Sequence, residues 1–579
     1  MHRLWGYIVR YRARYARGIA CLVASATLAM SIPLLLKRAV EAIQQQQPVS
    51  DVIFYPLVIV AVACVQGVVR SFSRFLIFNV GRDIEYQLRN DLFAHLQKLS
   101  LNYYQRQAIG DLMSRLVNDV TAVRLLLGLG IINLLNTPLY YLYAVSAMVL
   151  MDPQLTLVAL APYPFMLLFV KRMSRRMMEK TLKVQEGLAD LSTRVQESVS
   201  GMHVVRAYAR EEWQTEEFAR FNEIFKTESM DLARLRGLFP PLMKAVAGLG
   251  LLVVIWYGGM HVIAGRLSLG DLVAFMGYLH LLAWPTMALG WLISIFQRGQ
   301  AALKRLEMIF QTDPEIVDGQ GDGLAREIHG AVGFHHVDYG YKAEENGHLV
   351  LHDINFTVPA GSTVAIVGRM GSGKSTLVQL LPRLFDVRSG MITIDGEDAS
   401  TNSLAALRRW IGFVPQDPFL FSTRIKDNIA FALPEVDMER VRWAAQVAHL
   451  DEEINVFPRG YDTVVGERGV TLSGGQKQRM TLARALAADP SILVLDDALS
   501  SVDAQTERAI LHGLRDATRG KTVIVISHRI SAVRDADMIV VLDEGRVVET
   551  GTHAELVERD GVYAEIFQQQ ALEEELAEL

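Results

Sequence analysis

The hydrophobic pattern of this chain changes once, near residue 300. Before that point, apolar and largely uncharged stretches recur at residues 18–36, 52–80, 125–151, 155–172, 243–265 and 270–296. Alone or with its flanks, each is long enough to cross a hydrocarbon core of about 30 Å. Six such runs predict a helical membrane domain over residues 1–310. The connections alternate in size. Met151-Asp-Pro-Gln154 and Arg266–Asp271 are tight turns, whereas residues 81–124 and 171–238 are long, charged and helical in period. These long segments are too polar for lipid and extend the spans into water. Breaks near Gly110–Asp119 and Gly201–Arg210 predict short transverse helices, which offer docking surface to a second domain.

Basic residues set the expected orientation. Arg3, Arg10, Arg12, Arg14 and Arg17 precede the first run with no acid among them, and Lys171, Arg172, Arg175 and Arg176 open the second long segment. The positive-inside rule puts the N-terminus and both long segments in the cytoplasm. Lys37 and Arg38 fall on the outer side and count against that assignment. The first run also has the basic start of a signal peptide, but it ends in Leu-Leu-Leu-Lys-Arg without a small-residue cleavage site, so it is read as a span. Arg70 and Arg74 are the main intramembrane charges; they either face a cavity or partner helix, or snorkel to the inner headgroups. No acid lies in the middle of a span, which argues against a proton-coupled carrier.

Beyond the spans the composition turns polar. Gln311-Thr-Asp-Pro-Glu315 and Asp318–Gly323 read as part of a linker over residues 311–327. From residue 328 to 579, strand-like and helix-like runs alternate as in an α/β domain, ending in the acidic tail Ala571–Leu579. The net charge of −5 leaves no overall nucleic-acid footprint. The two cysteines, Cys21 and Cys64, sit in apolar runs and support neither a disulfide framework nor a metal site; both are expected to pack as small hydrophobes.

The chemistry is concentrated in the second half. Gly368-Arg369-Met370-Gly371-Ser372-Gly373-Lys374-Ser375-Thr376 follows the β-branched run Thr363–Val367 and precedes the helix-like Leu377–Leu381. Strand, glycine loop and helix form the setting of a phosphate-binding loop, in which backbone N–H groups turn inward around phosphate oxygens. Lys374 can reach the β- and γ-phosphates, and the Ser375 hydroxyl can sit on magnesium. Further motifs follow in order: Val337-Asp-Tyr-Gly-Tyr341 upstream, Val414-Pro-Gln-Asp417, Leu472-Ser-Gly-Gly-Gln476, Ile492-Leu-Val-Leu-Asp-Asp497, Ser500-Ser-Val-Asp503 and Ile524-Val-Ile-Ser-His528.

This ordered set resembles the nucleotide-binding domain of ABC transporters, and the six spans resemble the membrane domain fused to it in ABC exporter half-transporters. The resemblance covers nearly the whole chain. It implies a multidomain fold, an α-helical six-span membrane domain followed by an α/β P-loop nucleotide-binding domain. It also implies ATP and Mg2+ as ligands. Tyr341 then stacks on adenine, residues 368–376 cradle the phosphates, Asp496 holds magnesium with Ser375, Gln416 touches the magnesium and the attacking water, and His528 contacts the γ-phosphate. Leu472, Ser473, Gly474, Gly475 and Gln476 form the signature that acts on the ATP of a second subunit. One departure stands out: Asp497 occupies the position where this family usually has a glutamate that orients or deprotonates the attacking water. Aspartate is one methylene shorter, and a misplacement of about 1 Å can cost about a hundredfold in rate. That favours one half of a heterodimer, with a slow site here and a competent one completed on the partner; a slow homodimer is the alternative.

The other classes fit less well. A repair or translation ATPase has no use for six spans, and basic nucleic-acid patches are missing. Importers usually carry the two domains on separate chains. A processing exporter needs an N-terminal peptidase, for which Met1–Arg17 leaves no room. The expected setting is a bacterial inner membrane, and the apolar spans point to amphipathic or hydrophobic cargo.

Overall fold

Long apolar periods become long helices. In the computed structural model, which describes residues 2–319, 327–341, 348–466, 471–529 and 533–578, the first half is built from α1 (Arg12–Gln44), α2 (Val49–Leu96), α3 (Ile109–Met151), α4 (Pro153–Ser200), α5 (Glu211–Val253) and α6 (Leu269–Gln311). Five of these, α1, α2, α3, α4 and α6, are long and apolar enough to cross a membrane. The stretch expected as a span at 243–265 lies on α5 and its continuation through a π-helical turn, Val254–Gly258, and Gly259–Ile263. Its apolar part, Gly248–Ile263, is shorter than the roughly 20 residues a perpendicular span needs.

By contact density the chain divides into two units, Met1–Gln97 with Gly110–Thr312, and Lys98–Ile109 with Asp313–Leu579. Of the linker expected at 311–327, residues 320–326 lie outside the described residues, as does Leu579 of the tail.

Within the first unit, α1, α3, α4 and α6 share a core of Ala26, Ala29, Tyr140, Ala144, Met148, Leu155, Phe275 and Tyr278. Small residues let helices approach: a Cβ on Gly18 would lie 2.6 Å from Ile77. Buried polar groups find backbone partners, as where Tyr278 donates to Met30 O at 3.0 Å and Ser73 to Gly18 O at 2.7 Å. The hydropathic window of α2, by contrast, is not buried within the chain at all. Cys64 lies exposed on it, which corrects the expectation that both cysteines pack inside; Cys21 is half-buried.

Two expectations shift. Gly110–Asp119 does not form a separate transverse helix: it opens α3, with a π-helical turn over Arg115–Asp119, and the short separate helix is Leu101–Arg106. A glycine costs little in a first turn, where N–H groups have no intrahelical partner anyway. Asp111 there pairs with Arg115 at 2.5 Å, and Asp119 takes a two-pronged bond from Arg305 at 2.8 and 2.5 Å. Near Gly201 a short helix does form, Met202–Ala207. Second, Lys37 is no free cation. It pairs with Asp271 at 2.6 Å, beside the capping box that Ser268 and Asp271 make at the start of α6.

The second unit has two sheets. One is antiparallel, in the order β2 (Leu351–Val358), β1 (Val332–Tyr339), β4 (Ser389–Ile394), β5 (Glu397–Asp398). The other has six strands in the order β10 (Arg546–Gly551), β9 (Met538–Asp543), β3 (Thr363–Val367), β8 (Thr522–Ile526), β7 (Ile492–Asp496), β6 (Ile411–Val414). Strands β9 through β6 run parallel and β10 closes the edge antiparallel. β3, β7 and β8 are continuous apolar runs, as a sheet covered on both faces requires. The order puts the carboxyl ends of β3, β8, β7 and β6 side by side, where ligands bind in open α/β sheets.

Candidate functional site

The motifs found in sequence gather at that edge. The glycine loop follows β3, His528 follows β8, Asp496 and Asp497 end β7, and Gln416 follows β6. In the loop Gly371 and Gly373 adopt φ of 81° and 96°, the left-handed region that glycine enters without strain. At Gly368 the constraint is space: a Cβ would lie 2.0 Å from Leu542 O.

Helix α7 (Lys374–Gln379) starts at the lysine. The buried Lys374 ammonium donates to Gly368 O and Arg369 O, both at 2.8 Å, so it lies across the mouth of its own loop. Burial holds its pKa below the ordinary lysine value, with Asp496 and Asp497 acting in the opposite direction. The Ser375 hydroxyl donates to Asp496 Oδ1 at 2.9 Å. Asp496 is 1% exposed, and burial raises its pKa, aided by Asp497 and opposed by the Ser375 bond.

Do these residues fit a magnesium nucleotide? Ser372 Oγ is buried and without a hydrogen-bond partner among the described residues, an orphan that a phosphate oxygen would satisfy. The donor set of one hydroxyl beside one carboxylate suits magnesium, which is held at nucleotide sites by one or two protein groups plus phosphates. Among the described residues no cluster of three or more His, Cys, Asp or Glu is arranged for an all-protein metal site. The fit is therefore to a metal that arrives with its nucleotide.

Asp497 is half-buried with φ of 49°, a conformation aspartate tolerates better than most residues. Its N–H donates to Ile526 O at 2.9 Å, locking it to the end of β8. The His528 and Gln416 side chains are exposed. Tyr341 lies two residues past the end of β1, half-buried, sharing a 3.0 Å hydrogen bond with Thr376 and packing edge-on to Phe385. Tyr339 is 4% exposed and faces the core, its hydroxyl without a hydrogen-bond partner among the described residues. Arg369 and Met370, between the first glycines, point outward: Met370 is 93% exposed, and Arg369 pairs with Glu565 at 2.8 Å.

The signature is built differently. Ser473 caps α8 (Gly474–Ala487) in a reciprocal box: its hydroxyl accepts from Gln476 N at 3.2 Å, and Gln476 Oε1 accepts from Ser473 N at 2.9 Å. Gln476 Nε2 is engaged as well, by Glu453 at 2.8 Å. Among the described residues, no hydrogen bond is seen from the N–H groups of Gly474 and Gly475 or from the Ser473 hydroxyl proton. Leu472 is buried beneath them. A Cβ on Gly475 would lie 2.9 Å from Ser501 O, so the glycine also permits a close approach to the turn after β7. No described hydrogen bond or ion pair joins residues 472–476 to the phosphate loop. Three residues here escaped the sequence reading: Gln478, Glu507 and Arg529, which bridge the motifs.

Comparison with known proteins agrees with this layout. The family model described as ABC transporter transmembrane region matches residues 16–286, and that described as ABC transporter matches residues 351–500. The chain is 36% identical to a probable multidrug resistance ABC transporter ATP-binding/permease protein, YheI, of Bacillus subtilis, over 99% of this chain and 98% of that one. It is 34% identical to an ATP-dependent lipid A-core flippase of Syntrophus aciditrophicus, over 98% and 93%. Among solved structures, a bacterial Atm1-family ABC exporter with ATP bound superposes with a TM-score of 0.79 at 28% identity, covering 97% of this chain and 98% of that one.

Proposed function

The chain belongs to the ABC transporters, with membrane region and ATPase on one polypeptide, and from that premise we propose that it is half of a heterodimeric exporter whose own ATP site is slow. As an ABC exporter it hydrolyses ATP to drive transport across a membrane. In the proposed division, residues 1–310 form six spans, with Gly248–Ile263 in the fifth, residues 311–327 link, and residues 328–579 bind nucleotide. N-terminus and nucleotide domain lie in the cytoplasm, and the membrane is a bacterial inner membrane.

The observation that carries the reading is Asp497, an aspartate where the resemblance leads one to expect a glutamate, locked by its N–H to Ile526 O at 2.9 Å beside a phosphate loop and signature that keep their motif residues. Lys374 releases the carbonyls of Gly368 and Arg369 to meet the β- and γ-phosphates. The loop N–H groups and Ser372 orient the phosphates, and Tyr341 takes the base. Ser375 and Asp496 are the magnesium holders, with Gln416; bound there, the metal neutralises phosphate charge as it develops. Asp497 orients the attacking water from a side chain one methylene short, and His528 meets the γ-phosphate. Ser473 and the N–H groups of Gly474 and Gly475 serve the ATP of the partner subunit, while Gln476 holds the Ser473 turn in shape. Relatives named for multidrug resistance and lipid flipping support an amphipathic or hydrophobic cargo taken from the cytoplasm or inner leaflet.

Photo-crosslinkable ATP on the purified complex tests the assignment. Lys374→Ala should cut labelling of this chain by on the order of tenfold or more; labelling equal to wild type would remove Lys374 from the site.

A further inference from the structure

The turn Ser500–Asp503, between β7 and α9 (Ala504–Ala517), is held from two sides. From one side comes Gln478 of the signature helix, 3% exposed. Its Nε2 donates to Ser500 Oγ and its Oε1 accepts from Ser501 N, both at 2.9 Å. From the other side comes Arg529, the residue after His528. Its Nη1 donates to Val502 O at 3.0 Å and to Glu507 Oε2, and its Nη2 donates to Ser500 O at 3.1 Å. Glu507, on the first turn of α9, is 2% exposed. Its other oxygen, Oε1, has no hydrogen-bond partner among the described residues.

This is a costly arrangement to keep unless it does something. A buried carboxylate paired with one arginine is weak evidence for stability, because desolvation offsets much of the attraction. Its geometry is specific instead. The planar guanidinium fork serves two carbonyls and a carboxylate from two separate nitrogens, a spread that a single ammonium lacks. Gly475 approaches the same turn so closely that a Cβ would meet Ser501 O. The turn that carries His528, called the switch turn below, the turn after Asp497 and the start of the signature helix are thus one bonded set.

The geometry points to Arg529, oriented by Glu507, as a positioning residue. It fixes the Ser500–Val502 turn against the switch turn, so that the placement of the signature follows the state of this chain's own phosphate site. The inference rests on the assignment of His528 and the signature made above. It predicts loss of turnover without loss of nucleotide affinity.

Arg529→Lys is the main test, in the full chain with its copurified partner. Lysine keeps a cation against Glu507 but cannot span Ser500 O and Val502 O as well. Turnover should fall at least about tenfold while the dissociation constant for ATP stays within about twofold. Wild-type turnover would overturn the inference. The second test is the neutral pair Arg529→Gln with Glu507→Gln. Its unfolding temperature should return to near wild type while turnover stays low; recovery of turnover with stability would show the pair to be packing only. If instead the wild-type complex hydrolyses no ATP, or Lys374→Ala leaves labelling intact, the underlying reading fails and not the bond set alone.

Discussion

The phosphate loop and the signature turn are both glycine turns that open a helix, yet their surroundings are opposite. The phosphate loop is closed on its own chain: Lys374 is buried on Gly368 O and Arg369 O, Ser375 is bonded to Asp496, and Tyr341 is tied to Thr376. The signature is closed through the Ser473–Gln476 box, braced by Glu453 on Gln476, and none of its described hydrogen bonds reaches the phosphate loop. The phosphate loop sits beside Lys374 and the Ser375–Asp496 pair; the cation described at the signature, Arg479, is turned to Gly475 O, His449 O and Glu453. On the function proposed above, the phosphate loop is the half-site that serves this chain's own ATP and the signature the half-site that serves a second subunit's.

The comparison breaks most visibly at the signature. Gly475→Asp would push a side chain against Ser501 O and bring negative charge toward phosphate. Turnover of the complex should drop by on the order of a hundredfold, the scale of losing preorganised donors, while ATP labelling of this chain persists. Labelling lost together with turnover would mean that the two turns act on the same nucleotide. At the base, Tyr341→Ala should weaken ATP binding roughly tenfold, a stacking-sized effect, and Tyr341→Trp should retain it. Tyr341→Phe removes only the bond to Thr376 and should cost little. Equal losses in the alanine and tryptophan variants would assign Tyr341 to packing against Phe385.

A smaller effect separates binding from folding. Burial raises the Asp496 pKa, so ionisation opposes folding. The stability this group contributes is complete below the unfolded pKa and is lost as pH rises through the folded one. Asp496→Asn should therefore raise the unfolding temperature of the nucleotide-free protein at pH 7. The gain should shrink toward pH 4, and magnesium-ATP should stabilise the variant less than wild type. An unchanged unfolding temperature would mean that the carboxylate's burial is offset elsewhere.

Much of this was legible in the residues because the signals are local. A phosphate loop declares itself within nine residues, and apolar runs of bilayer length need no tertiary information. What stayed hidden depends on strand order. Arg529 and Glu507 are 22 residues apart and meet only because β7 and β8 are neighbours. The pairing of Lys37 was hidden because Asp271, its partner, lies on the last long helix of the unit. The start of α3 was misplaced for another reason: glycine is a breaker inside a helix and harmless in its first turn, and sequence alone does not say which applies to Gly110.

The central claim concerns Asp497, so the most direct measurement is the ATPase rate of this chain purified alone against that of any copurifying pair, each with and without Asp497→Asn. The account predicts that the single chain is slow, that the pair is fast, and that Asp497→Asn changes the pair's rate by less than about twofold, because the fast site uses this chain's signature and not its Asp497. Brisk hydrolysis by the single chain, abolished by Asp497→Asn, would contradict it and make Asp497 a working catalytic residue of a homodimer.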